Sequence, residues 1–173
     1  MCAQSTRDET TASNPNGAIR LRPATDDDRE FLFALYGTTR ARELEAWGWG
    51  PTQRDAFLKM QFDAQVRSYG AQYPAAEHSI IMRDERPAGR MIVVRGDDAL
   101  RLVDIALMPE YQRLGIGGGL LRELMRRASN ENLALRLSVL ASNAAAIRLY
   151  ERLGMRRSGG DELYLSMEWK PAR

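Results

Sequence analysis

Four of the fourteen glycines fall within five positions: Gly115, Gly117, Gly118 and Gly119, in the stretch PEYQRLGIGGGLL from Pro109 to Leu121. A glycine inside a helix costs roughly 0.5–1 kcal/mol against alanine, so a cluster at a helix start needs a compensating use. Close approach of a ligand to the backbone is one. Several phosphate-binding devices put glycine at a strand-to-helix junction, and spacing separates them. A dinucleotide fingerprint, G-x-G-x-x-G, fails here because the sixth position after Gly115 and Gly117 is Leu120. A P-loop fails because no lysine is near; Lys59 and Lys170 are the only two. What remains is Gln112-Arg113-Leu114-Gly115-Ile116-Gly117, the pattern Q/R-x-x-G-x-G/A.

The elements that would position this loop follow from periodicity and punctuation. AIRLRPAT reads as a first strand, after which Thr25 can cap a helix carrying Asp26, Asp27 and Asp28 at its positive end. A second helix runs from Pro51 to Ser68, with Phe57, Met60 and Ala64 on one stripe and Phe62, Val66 and Tyr69 on another. EHSIIMRD and GRMIVVRG, split by the turn signal ERPAG, predict a hairpin that DALRLVDIALM extends as a third antiparallel strand. A helix from Gly117 to Asn130, the strand ALRLSVLA, a helix from Asn143 to Leu153 closed by Gly154, and the strand ELYLSMEW complete the chain. Strands on both sides of helices predict a three-layer α/β or α+β sandwich.

Composition sets the outer limits. With 173 residues, 44% hydrophobic and 28% charged, one domain over 18–173 is expected behind a polar, flexible tail at 1–17. The formal charge of +2 is spread along the chain with no basic stripe, so no nucleic-acid partner is expected. There is no run of eighteen apolar residues and no signal-peptide pattern, so a cytoplasmic protein with no membrane partner is expected. Cys2, the only cysteine, excludes an internal disulfide and a cysteine-based metal cluster; no metal is expected.

The loop and the later segment ASNAAAIRLYERLGM together resemble the two signatures of the GNAT superfamily of acyl-CoA-dependent N-acetyltransferases. The second signature is matched by Asn143, Ala146, Leu149, Tyr150 and the closing Leu153-Gly154. The resemblance implies a mixed, mostly antiparallel central sheet with a splayed strand pair, flanked by helices. It implies acetyl-CoA as cosubstrate, its pyrophosphate held by backbone N–H groups of Arg113, Leu114, Gly115, Ile116, Gly117 and Gly118 at a helix start. Gly118 and Gly119 would then also permit close helix packing. The pantetheine arm would pair with the strand at Ile105, Ala106 and Leu107 and touch Asn143. Tyr150 would protonate the departing thiolate, a task a phenol suits at neutral pH.

The residues leave alternatives open. Asn143 also suits a helix cap, and Tyr150 a core aromatic. His78, the only histidine, reads as a solvated strand residue before a base. Ribosomal-protein N-terminal acetyltransferases, which the ASNAAAI helix resembles, usually carry a glutamate five positions before the asparagine, where this chain has Ser138. The proton acceptor is therefore sought among Asp104, Glu77 and Glu110, with Asp104 first because it shares a strand face with Ala106. Glu43, Glu45, Trp47 and Tyr73, with Trp49 and Tyr69, are the residues suited to receive a cationic amine. The expected function is acetyl transfer to a primary amine of a small molecule or peptide. The alternatives are transfer of a longer acyl group and a binding module without turnover. Oligomeric state is not legible, and a homodimer is compatible.

Overall fold

The computed structural model describes residues 17–45 and 48–172, without the side chains of 42–45. The expected tail, apart from Gly17, lies outside the described residues. Strands β1 (Ile19–Pro23), β2 (Glu77–Arg83), β3 (Arg86–Arg95), β4 (Ala99–Leu107), β5 (Ala134–Leu140), β6 (Arg156–Gly160) and β7 (Tyr164–Trp169) form one sheet. Its order is β1-β2-β3-β4-β5-β7-β6. Every neighbouring pair is antiparallel except β4 and β5, which α3 (Ile116–Asn130) joins as a crossover. Helices α1 (Arg29–Glu45) and α2 (Pro51–Gln72) precede β2, and α4 (Ala144–Arg152) follows β5.

Strand alternation gives the sheet two apolar faces, and each is covered. Ile81, Val93, Leu100, Leu102, Leu135 and Leu137 pack against Leu121 and Leu124 of α3 and Ile147 of α4. Ile80 and Ile92 point the other way, toward the layer that buries Leu35 of α1 and Phe62 of α2. This is the three-layer sandwich expected. Neither stripe foreseen on α2 is fully buried: Phe62 is enclosed, but Met60 of the first stripe and Val66 of the second are solvent-exposed.

Two features set the geometry of the middle of the sheet. Ile92 lies opposite Asp104 and Val93 opposite Leu102, so Val103 is an extra residue and β4 bulges there. The parallel pairing of β4 with β5 stops at the same point, at Leu102 opposite Leu137. A bulge bends its strand and increases its twist, and here the bend carries β4 away from β5. Beyond it β4 stays with β3, where a side chain at Gly89 would meet the Ala106 carbonyl at 2.2 Å.

Sequence and structure part at two places. Helix α2 continues past Ser68 to Gln72, through Gly70, and brings Tyr69 and Tyr73 onto the helix and its C-cap. Strand β6, RRSGG, has no apolar alternation and no buried residue; it forms by pairing with β7.

The chain enters its first helix through a short 3-10 turn at Asp26–Asp28. The buried Asp28 carboxylate receives Arg22 Nη1 at 2.7 Å and Nη2 at 2.5 Å from β1, and the Thr25 N–H at 2.8 Å. The Arg22 guanidinium is the main cause that holds Asp28 down at about 2, against burial that opposes it. A carboxylate depressed on folding stabilises above its unfolded range and loses that contribution as the pH falls through its folded value. Asp28→Asn should cost about 1–3 kcal/mol near neutral pH. In chemical denaturation, the gap between wild type and variant should close as the pH drops from about 4 toward 2.

Candidate active site

Where β4 and β5 part, a cleft of about 230 Å³ opens, lined by Asp104 and Ile105 of β4, Ser138 of β5, Asn143 and Tyr150 of α4, Tyr69 of α2 and Tyr164 of β7. A larger hollow, about 700 Å³, lies between β1 and the first turns of α3, but its ionisable groups are Arg20, Arg122 and Glu123. Arg20 pairs with Glu85 and Glu123 with Arg126. The groups suited to proton transfer meet in the smaller cleft.

Strand β4 leads from this cleft into the glycine loop. Gln112 Nε2 donates to the Leu107 carbonyl at 2.9 Å and ties the loop to the strand end. Arg113 and Gly115 both adopt positive φ, 60° and 79°, which turns the backbone into α3 with Gly115 as its N-cap. The Gly119 N–H bonds to the Gly115 carbonyl at 3.0 Å, so the N–H groups of Ile116, Gly117 and Gly118 precede the first intrahelical bond. A Cβ at Gly117 would meet nothing within 4 Å, whereas one at Gly118 would lie 3.5 Å from Leu149 of α4. At Gly118 that distance is an ordinary contact, which a small side chain would also satisfy, and Gly119 faces open space on the larger hollow, so close packing requires glycine at neither position. The Leu114 and Ile116 side chains turn into the core, so at these positions only backbone is available to a ligand. Ala106 and Leu107 lie further along β4, half-buried.

Asn143 caps α4, its Oδ1 accepting the Ala146 N–H at 3.1 Å, while the residue also borders the cleft. Tyr150 is buried in the core cluster and still reaches the cleft. Burial, then the Asp104 charge, push its hydroxyl above the usual phenol range. Tyr69 is raised by the same two causes in the same order, against the opposing charge of Arg90. Both phenols therefore stay protonated well past neutrality. Asp104 is held by Arg90, whose Nε and Nη2 approach its Oδ2 at 2.8 and 2.7 Å.

The other candidates are dispersed. Glu77 is turned to the opposite face of the sheet, where Arg127 of α3 donates to both its oxygens at 2.6 and 2.7 Å. Glu110 is exposed in the turn after β4. His78 is exposed and does not line the cleft; partial burial and the Arg90 charge lower its proton affinity. Tyr73 packs against Tyr69 at 6.5 Å between ring centroids, behind the cleft wall. Trp49 packs edge-on to Phe57 at 5.3 Å, a structural contact. Trp47 and the side chains of Glu43 and Glu45 lie outside the described residues. Arg90 and Tyr164 were not singled out from sequence; the one signal was a charged residue inside the apolar run of β3. Among the described residues, no group of three or more His, Cys, Asp or Glu is placed to hold a metal ion, and no helix is long and apolar enough to cross a membrane.

Comparison with known proteins gives a consistent picture. A family model described as the acetyltransferase (GNAT) family matches residues 24–155. The ribosomal protein bS18-alanine N-acetyltransferase of Escherichia coli (strain K12) is 50% identical over 58 residues, 33% of this chain and 39% of that protein. The enzyme of the same description from Salmonella typhimurium is 43% identical over 72 residues, 41% of this chain and 49% of its own length. The chain thus spans less than half the length of these curated relatives. Among solved structures, the PaiA N-acetyltransferase of Thermoplasma acidophilum in complex with coenzyme A superposes with a TM-score of 0.64 at 19% identity, covering 89% of this chain and 99% of that one. The ribosomal-protein-S18-alanine N-acetyltransferase of Escherichia coli gives 0.59 at 22% identity, covering 88% and 94%. At these identities the superpositions establish the fold.

The electrostatic coupling in the cleft is directly measurable. Replacing Asp104 with asparagine removes the negative charge that helps keep Tyr69 and Tyr150 protonated. In an ultraviolet tyrosine titration of Asp104→Asn, part of the phenolate signal should move to lower pH. An unchanged titration would contradict the coupling.

Proposed function

Because this chain belongs to the GNAT acetyltransferase family, with the family model spanning residues 24–155, we propose that it transfers an acetyl group from acetyl-CoA to a primary amine by direct attack. The observation that carries this reading is the parting of β4 from β5, which brings Asp104, Asn143 and Tyr150 onto one cleft. The free N–H groups at the start of α3 suit a pyrophosphate, because a helix N-terminus carries partial positive charge and the glycine at 117 leaves the backbone open. Beyond Leu102, β4 has lost β5 as a partner, so along Ile105, Ala106 and Leu107 the alternate backbone groups that face away from β3 suit the amide-containing pantetheine arm, while the Ala106 carbonyl faces Gly89 and the Leu107 carbonyl accepts from Gln112.

In this reading the amine nitrogen loses a proton to Asp104 and attacks the thioester carbonyl. A backbone N–H of β4 steadies the oxyanion of the tetrahedral intermediate. The C–S bond then breaks, and Tyr150 gives its proton to the thiolate, leaving the amide and free CoA. Ser138 cannot replace a glutamate as proton acceptor, which leaves Asp104 as the carboxylate on the cleft among the described lining residues. The curated relatives named above act on the alanine amine of a ribosomal protein, and they favour a peptide α-amine over other acceptors. A small-molecule amine is the other acceptor class this cleft suits.

Calorimetry with acetyl-CoA, followed by thiol release against a panel of peptide and small-molecule amines, tests the reading; absence of binding would refute it. Tyr150→Phe should bind acetyl-CoA as wild type does and lose roughly 10²-fold or more in kcat. Gly117→Glu should melt as wild type does, since its side chain enters open space, and should lose acetyl-CoA binding. Undiminished affinity would remove the pyrophosphate assignment.

A further inference from the structure

We infer that Arg90 is a positioning residue for the transfer reaction, fixing the Asp104 carboxylate and the Tyr69 wall of the cleft relative to each other. The inference rests on the acetyltransferase reading and on Asp104 as proton acceptor.

Arg90 projects from β3 between the sheet and α2 and is only 8% exposed. Its Nε and Nη2 both approach Asp104 Oδ2, at 2.8 and 2.7 Å. Nη2 also donates to Gln65 Oε1 at 3.1 Å, and the guanidinium carbon lies 5.9 Å from the centre of the Tyr69 ring. Gln65 and Tyr69 are one turn apart on α2, so both are neighbours on the helix face that Arg90 meets. A single rigid fork therefore joins the helix that walls the cleft to the strand that carries its carboxylate.

Stability alone does not account for this arrangement. The desolvation of a buried ion pair offsets much of its attraction, and well-packed apolar residues often do as well. The same face is packed with apolar groups on the neighbouring positions of β2 and β3, where Ile80 and Ile92 are fully enclosed. What the pair supplies and an aliphatic residue cannot is direction. With the Nε hydrogen bond and the Nη2 ion-pair contact both on Oδ2, that carboxylate oxygen is held in place. An amine held against Tyr69 then meets that carboxylate at one distance and one angle, and proton transfer depends steeply on such geometry.

The charged and titratable groups around Asp104 come from several elements: Tyr69 of α2, Arg90 of β3, Tyr150 of α4 and Tyr164 of β7, with His78 of β2 facing Arg90. Arg90 is the cation among them at neutral pH. Its removal should therefore lower the rate of transfer.

The test uses the whole chain with an amine it turns over, comparing Arg90→Gln, Arg90→Lys, Asp104→Asn and the double variant Arg90→Gln/Asp104→Asn. Arg90→Gln should lower kcat roughly 10- to 100-fold with acetyl-CoA affinity unchanged. Arg90→Lys, which keeps the charge and loses the fork, should fall between that variant and wild type; if Arg90→Gln does not fold, the lysine variant carries the test alone, by its lowered kcat at unchanged acetyl-CoA affinity. The double variant should be no slower than Asp104→Asn, since Arg90 acts through that carboxylate. Impaired Asp104→Asn beside wild-type rates in the Arg90 variants, or losses that multiply in the double variant, would overturn the inference and leave Asp104 in place. Full activity of Asp104→Asn would overturn both assignments, and a wild-type chain that turns over no amine would overturn the acetyltransferase reading and this inference with it.

Discussion

One extra residue, Val103, governs the site. Parallel strands β4 and β5 share register from Ala99 to Leu102 and then separate, because a bulge at Val103 bends β4 while Gly89 lets β3 follow it closely. Had the pairing continued, the space between the strands would be filled by a hydrogen-bond ladder. By ending it, the sheet leaves a run of β4 backbone without a neighbour on one side and opens a cleft into its middle layer. The groups on either side of that opening come from α2, β4, β5, α4 and β7. They meet because the sheet splits there.

The split would be expensive if nothing else held the layers. Arginine forks provide much of the cross-bracing. Arg22 ties β1 to the turn that opens α1, Arg127 ties α3 to β2, and Arg90 ties β3 to both α2 and β4. The first is a bidentate pair on an enclosed carboxylate, with geometry that sets orientation as well as attraction. Arg127 and Arg90 lie on opposite faces of the sheet, so both covering layers are fastened to the strands they protect.

Polar and apolar roles overlap in the residues around the cleft. Asn143 is at once the cap of α4 and a residue of the cleft wall, and Tyr150 belongs to the core while bordering the opening. The duller assignments drawn from sequence were therefore sound for both, and they do not compete with the chemical ones. The same burial that makes Tyr150 a core aromatic raises its proton affinity and keeps the phenol protonated at neutral pH.

Local sequence determined the glycine loop, because the left-handed turn at Gly115 and the open backbone at Gly117 are properties of single residues. It determined the three-strand meander as well, through alternation and turn residues. It also placed Asp104 on the correct strand and Tyr150 on the correct helix. Tertiary structure decided what no local pattern encodes. Strand β6 exists because β7 offers it an edge, although RRSGG has no apolar alternation of its own. Helix α2 runs through Gly70 to Gln72, past the point where helix propensity would end it. Arg90 looked like one charge in an apolar strand, and its partners are Asp104 on the next strand and Gln65 on a distant helix. Such pairings depend on register and packing across the sheet, which the chain settles only when its layers close.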